Sequence, residues 1–239
     1  MLWSAVRTLL PSSTGLVRVD WSPSLPGVHR AGAIAPAARL RRVKWSTAIR
    51  NLRELAQATN DLAASPAAKY ALPVTQLWAA QEILGTPRDL EWVTAAVVVD
   101  LPVEDVPWLV KPNGSEHWEN FTRAAKHPIV TLWRSAQAPV WNHYLSRPAL
   151  FWDRRTGLDE DALQALSEGR GEEVRISAPA PDEFRARLED DLAVSLGALR
   201  ERTRAYEDRR WSQGKFTAVA DELWEASNGY VDLLDGLAS

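Results

Sequence analysis

The chain has 239 residues, 46% of them hydrophobic, with a formal net charge of −3 and no cysteine. Its length and apolar content suit one sizeable core, and the lack of cysteine removes disulfides, thiolate metal ligands and cysteine nucleophiles. No apolar run approaches the roughly 20 residues that a membrane-spanning helix needs, so no membrane partner is expected. The charge is unevenly placed. Residues 1–43 hold six Arg and only Asp20, which leaves residues 44–239 with a net of −8. A surface of that sign repels polyanions, so nucleic acid is not expected as a partner either. A reducing cytoplasm is the expected compartment.

Residues 1–43 show neither helical nor alternating periodicity and contain Pro11, Pro23, Pro26 and Pro36, so a disordered extension is expected. The stretch is Arg-rich and nearly free of acids, like an organellar transit peptide, but it lacks the apolar segment of a secretory signal, and Arg41-Arg42 has none after it. The preferred reading is that residues 1–42 lie upstream of the true start and that the mature protein begins at Val43. From Ser46, apolar residues at 49, 52, 55, 56, 59 and 62 recur at helical spacing. They predict a first core helix capped by Ser46 or Thr47 and ended by Ser65-Pro66.

Residues 72–102 organise the rest. Two apolar runs flank a polar turn at Gly85, Thr86 and Pro87, and the second run, Trp92 to Val99, is uncharged and β-branched. This predicts a β-hairpin whose second strand is covered on both faces, with helices on each side. After a Pro-rich loop, residues 115–126 read as a short helix, 128–135 as a third strand and 138–153 as extended chain between Pro139 and Pro148. LDEDALQALSEGRG reads as a short helix with acids in its first turn, and EEVRISAP as an edge strand. Next, Phe184, Leu188, Leu192, Leu196, Leu199, Thr203 and Tyr206 form one stripe of a helix about eight turns long. After a break at Ser212-Gln213-Gly214, a last helix places Phe216, Ala220, Leu223, Tyr230, Leu234 and Leu237 on a matching stripe. The expected architecture is α/β (α+β). A small central sheet flanked by helices occupies residues 44–180, and a C-terminal antiparallel helical hairpin, 181–239, packs on the same domain.

Signals for chemistry are sparse. There is no phosphate-cradling glycine loop, no Gly-x-Ser-x-Gly elbow and no paired-histidine metal spacing among His29, His117, His127 and His143. No cofactor and no metal site is expected. Glu82, Asp89, Glu91 and Asp100 cluster around the hairpin in sequence, and Asp100 ends an apolar strand, where α/β enzymes keep functional carboxylates. They are the only catalytic candidates, set against solvent-exposed punctuation of the strands. Seven of the twelve Trp fall between residues 78 and 152. They read first as core filler, and second as the wall of a ligand pocket made by Trp108, Trp133, Trp141, His143, Arg147 and Trp152.

KWSTAIRNLREL, the Pro-Trp-Leu at 107–109, PVWNH, RPALFWD and GLDEDALQAL together resemble a family of uncharacterised actinobacterial proteins of about two hundred residues, and the likeness spans everything after Val43. That resemblance implies no activity. A second resemblance is to the minimal, antitoxin-associated nucleotidyltransferase fold, with a strand, a Gly at 85 and a further strand to Asp100 in similar order. Gln81-Glu82 stands where that fold has Gly-Ser, and Val93 to Val99 holds no acid where it has its metal-binding pair. Two-metal phosphoryl transfer needs those carboxylates, so the resemblance implies lost catalysis. The leading expectation is a non-catalytic binding or interaction module, with the C-terminal helices as a protein-partner or homodimer surface. The alternatives are a magnesium- and nucleotide-dependent transferase using the four acids in a rearranged site, and a small-ligand sensor.

Overall fold

The computed structural model describes residues 42–66, 71–211 and 216–238. The expectation of disorder over 1–41 and the break at Ser212-Gly214 lie outside the described residues. Val43, assigned to the extension, is instead buried and pairs with Leu90 through Val43 N–H to Leu90 O at 2.6 Å and Leu90 N–H to Val43 O at 2.8 Å.

Ten elements follow: α1 Trp45–Ala64, β1 Val74–Ala80, β2 Val93–Val99, α2 Ser115–Phe121, β3 Ile129–Ser135, β4 Ala149–Asp153, β5 Gly157–Leu158, α3 Glu160–Ser167, α4 Pro181–Arg209 and α5 Phe216–Ala238. The sheet runs β3-β2-β1-β4-β5 and is mixed: β1 is antiparallel to β2 and β4, and β2 is parallel to β3. A parallel pair needs a crossover, and the chain between β2 and β3 supplies one that carries α2. The β1–β2 hairpin is the expected centre, and every residue of β2 is buried.

Alternation along the strands sorts side chains to two faces. Val93, Ala95, Val97 and Val99 join β3 Trp133 and β4 Phe151 under α1, α2 and α3, with Leu52 and Leu55 of α1 and Trp118 of α2 fully buried. The expected α1 stripe is buried throughout, and the helix is capped by Lys44 rather than Ser46 or Thr47. Ala96 and Val98 face the other way with Trp78, Leu132 and Leu145, and there Phe184, Leu188 and Leu192 of α4 and Leu233 and Leu237 of α5 cover the sheet. The result is a three-layer α/β/α sandwich whose last layer is the predicted hairpin.

Two elements differ from expectation. Only 149–153 of the stretch 138–153 is strand, because Asn142, fully buried, accepts hydrogen bonds from the N–H of Tyr144 and Leu145 and turns the chain. The expected edge strand EEVRISAP contributes a single bridge, Ala149 to Arg175, since 171–173 winds into a 3₁₀ turn. Pro179 and Pro181, which offer no N–H to a ladder, follow closely.

Candidate functional site

The four acids do not gather in one place. The pairing of Ala80 with Thr94 and of Val74 with Val99 puts Glu82, Asp89 and Glu91 beyond one end of the β1–β2 ladder. Asp100 lies at the other end, about 20 Å away at ~3.3 Å per residue. Glu82 faces Arg88 at 3.5 Å, and Glu82, Asp89 and Asp100 are exposed. Among the described residues no group of three or more acidic or histidine side chains could hold a metal ion.

The six pocket candidates are split by the sheet. Trp133 pairs in register with Val97 and Trp152 with Leu77, so both belong to the α1 face, where Trp133 meets Trp118 edge-on at 5.3 Å. A bulge between Leu77 and Trp78 turns Leu150 to the hairpin face. Trp141 stacks on Phe184 of α4, and Arg147 is occupied as a clasp, donating to Ile176 O and pairing with Glu172 at 3.0 Å. A cleft of about 350 Å³ lies elsewhere, lined by Leu62, Leu72, Val74, Trp118 and Arg154 among others. It includes none of the six.

What remains, Trp108 and His143, is the centre of a polar seam beneath the hairpin. Trp108 occupies a turn closed by Val110 N–H to Pro107 O, in which Leu109 takes φ +59°. His143 sits on the Asn142 turn. Both reach Oδ2 of Asp232 on α5: Trp108 Nε1–H at 2.6 Å and His143 Nε2 at 2.7 Å, with the two rings edge to face at 5.9 Å. The helix comes this close because it carries glycine on either side of the aspartate. A Cβ on Gly229 would stand 2.0 Å from Trp108 O, and one on Gly236 would stand 2.6 Å from the His143 ring. Gly229, Asp232, Leu233 and Gly236 lie on one helical face. Gln81, at φ +66°, donates to Tyr144 O, and Arg147 has φ +47°, so strained backbone borders the seam.

The seam continues into α4. Arg134 of β3 is 2% exposed, lies over the Trp108 ring at 5.6 Å, and shares Asp191 with Arg187: Arg134 Nη2 to Oδ2 at 2.9 Å, Arg187 Nη2 to Oδ1 at 2.6 Å. Burial, then the neighbouring Arg134 charge, pull the Arg187 guanidinium below the usual arginine range, offset by Asp191 and Asp190. Farther along α5, burial raises the Glu225 carboxyl above the usual carboxylate range, against a hydrogen bond from the Lys111 backbone and the Lys111 charge. Five buried polar atoms here have no hydrogen-bond partner: Arg134 Nε, Arg187 Nε, Ser195 Oγ, Asn142 Nδ2 and His143 Nδ1.

A His–Asp pair suggests general-base chemistry, which requires the imidazole nitrogen remote from the carboxylate to meet a substrate. Here that atom is the covered, unpartnered Nδ1. The arrangement serves attachment: it ties α4 and α5 to β3 and two loops. Sequence reasoning found Trp108 and His143 and missed Arg134, Arg187, Asp191, Asp232, Gly229 and Gly236. The available signal was two glycines seven residues apart in a helix, each costing about 1 kcal/mol unless packing needs it.

A family model, a domain of unknown function designated DUF7711, matches residues 43–239. The chain belongs to this family. No curated protein and no solved structure matches it. The DUF7711 chain thus has a family without an assigned activity, and among its described residues no helix is long and apolar enough to cross a membrane.

Proposed function

We propose that this DUF7711 protein is a non-catalytic interaction module of the cytoplasm that presents the outer face of its C-terminal hairpin to a protein partner. The observation that carries this is the apolar outer face of α5. Trp224 and Val231 are 49% and 53% exposed, on the side opposite Val219, Ala226 and Leu233, and Leu234, 41% exposed, flanks them, on a helix already fixed by its inner side. Large apolar side chains grouped on one outward face mark a contact surface more than scattered ones do. The separation of the four acids supports the absence of transferase chemistry. The division of the six aromatic and basic candidates weighs against a single Trp-lined ligand pocket. A nucleotidyltransferase ancestry would leave this reading unchanged, because β2 holds no carboxylate.

A photo-crosslinking residue in place of Val231, expressed in the native host, tests the reading. The expected result is a discrete protein adduct whose mass identifies the partner. No adduct, together with a magnesium-dependent thermal shift of the purified chain by a nucleoside triphosphate, would overturn it.

A further inference from the structure

The hairpin is longer than the surface it covers. No described residue of α4 beyond Leu192, and none of α5 before Leu233, belongs to either apolar cluster of the sandwich, and α4 runs on to Arg209. The distal parts lie against each other through the Arg202–Glu222 pair at 2.8 Å and a seam with Val219 buried in it. Helices in proteins draw most of their stability from packing, and a two-helix layer leaves one broad side of each unpacked.

That side is complementary to itself. Of the charged residues on α5, Asp221 and Asp235 are the exposed ones, with no basic residue across 217–238, while α4 presents Arg200 and Arg204. Arg200 and Arg204 are exposed and have no ion-pair partner among the described residues, and Asp221 is exposed as well. The Arg202–Glu222 pair fixes the level of the two helices, so Arg200 and Arg204 bracket the height of Asp221, and Trp224 stands level with Arg200. One turn below, Gly197 is bare: nothing lies within 4 Å of where its Cβ would be.

We propose that the hairpin pairs with the hairpin of a second copy of this chain, outer face to outer face, about a two-fold axis running along the hairpin. Such an axis keeps every residue at its level and lays α4 of one copy over α5 of the other. Trp224 of each copy then lies at the level of Arg200 of its mate, and Asp221 enters between Arg200 and Arg204, twice by symmetry. A face about 30 Å long and about 20 Å wide offers about 600 Å² per partner, the lower end for a specific interface, so a weak dimer is expected.

The inference rests on the interaction reading, and its test separates the two. Sedimentation velocity on the full-length chain, up to about 200 µM and at low and high salt, reads the monomer–dimer balance. A dimer is expected, weakened about tenfold or more by salt, by Trp224→Glu, by Arg200→Glu with Arg204→Glu, and by Asp221→Arg, with the helical circular dichroism of each variant unchanged. Mixing the arginine variant with Asp221→Arg is expected to restore a mixed dimer, because each interface then meets opposite charges. A monomer at all concentrations, or a dimer indifferent to these changes, overturns the proposal. If a position-231 adduct of some other mass appears with a monomeric chain, the interaction reading stands and the second copy is rejected. A monomer with no adduct rejects the second copy, and a magnesium-dependent nucleotide shift alongside it overturns the interaction reading as well.

Discussion

The two faces of the sheet are sealed by different means. Under α1, α2 and α3 the contact is apolar, with Leu52, Leu55, Trp118 and Phe151 almost wholly buried. Under α4 and α5 an apolar patch shares the interface with two arginines, two aspartates and a histidine. Apolar burial gains free energy in proportion to area, whereas buried ions gain little net energy and mainly punish wrong geometry. The first face therefore holds the domain together, and the second fixes where the hairpin sits.

The widest test breaks the ionic trio. Asp191→Ala removes the carboxylate that Arg134 and Arg187 share, and a loss of about 3–5 kcal/mol is expected in urea unfolding. Replacing all three members by Met, Leu and Met is expected to be neutral or stabilising. Equal destabilisation by both would show that the trio contributes energy outright. On the opposite face Leu52→Ala is expected to cost about 2–5 kcal/mol. The difference lies in what loosens: hydrogen exchange should rise through α4 and α5 for the aspartate variant and through the whole sandwich for the leucine variant. Uniform exchange in both would erase the contrast between the faces.

Smaller effects sharpen it. Gly229→Ala forces a methyl against the Trp108 carbonyl and is expected to cost about 1–3 kcal/mol. Gly236→Ala meets only the His143 side chain, which can move, so its cost should be lower, and the reverse order would contradict the docking described. The least effect belongs to Glu225. Its carboxyl is raised in the folded state, so the native protein holds the proton more tightly. Its stabilising contribution is complete below about pH 4 and is lost as pH rises through the folded value. Glu225→Gln is therefore expected to raise the Tm at pH 7 and to leave it unchanged in acid.

Periodicity was enough to read α1, β2, the central hairpin and the existence of α4 and α5. It failed on the facing of α5. Ranking residues by hydrophobicity turned Leu234 inward and left the glycines unassigned, whereas a helix crossing over loops at close range needs its smallest side chains at the contact and sends Trp224 and Val231 outward. Asp191 was similarly hidden, since a carboxylate beside an apolar stripe reads as solvated until Arg134 is known to lie beneath it. The six pocket candidates do not all meet, because neighbouring strand residues point to opposite faces. Trp133 and Arg134 are adjacent in sequence and separated by the whole sheet, and the β4 bulge that redirects Leu150 has no local signal.

The spacing of Gly229 and Gly236 sets one last consequence. A slide of α5 by a single turn would drive the side chain of Ala226 or Leu233 into the Trp108 carbonyl and carry the Asp232 carboxylate away from both its donors. Intermediate positions are thus closed to the helix. Its attachment works like a key with two notches, seated or withdrawn, so any ligand or partner that loosens it acts by changing how often it is seated rather than how far it has moved.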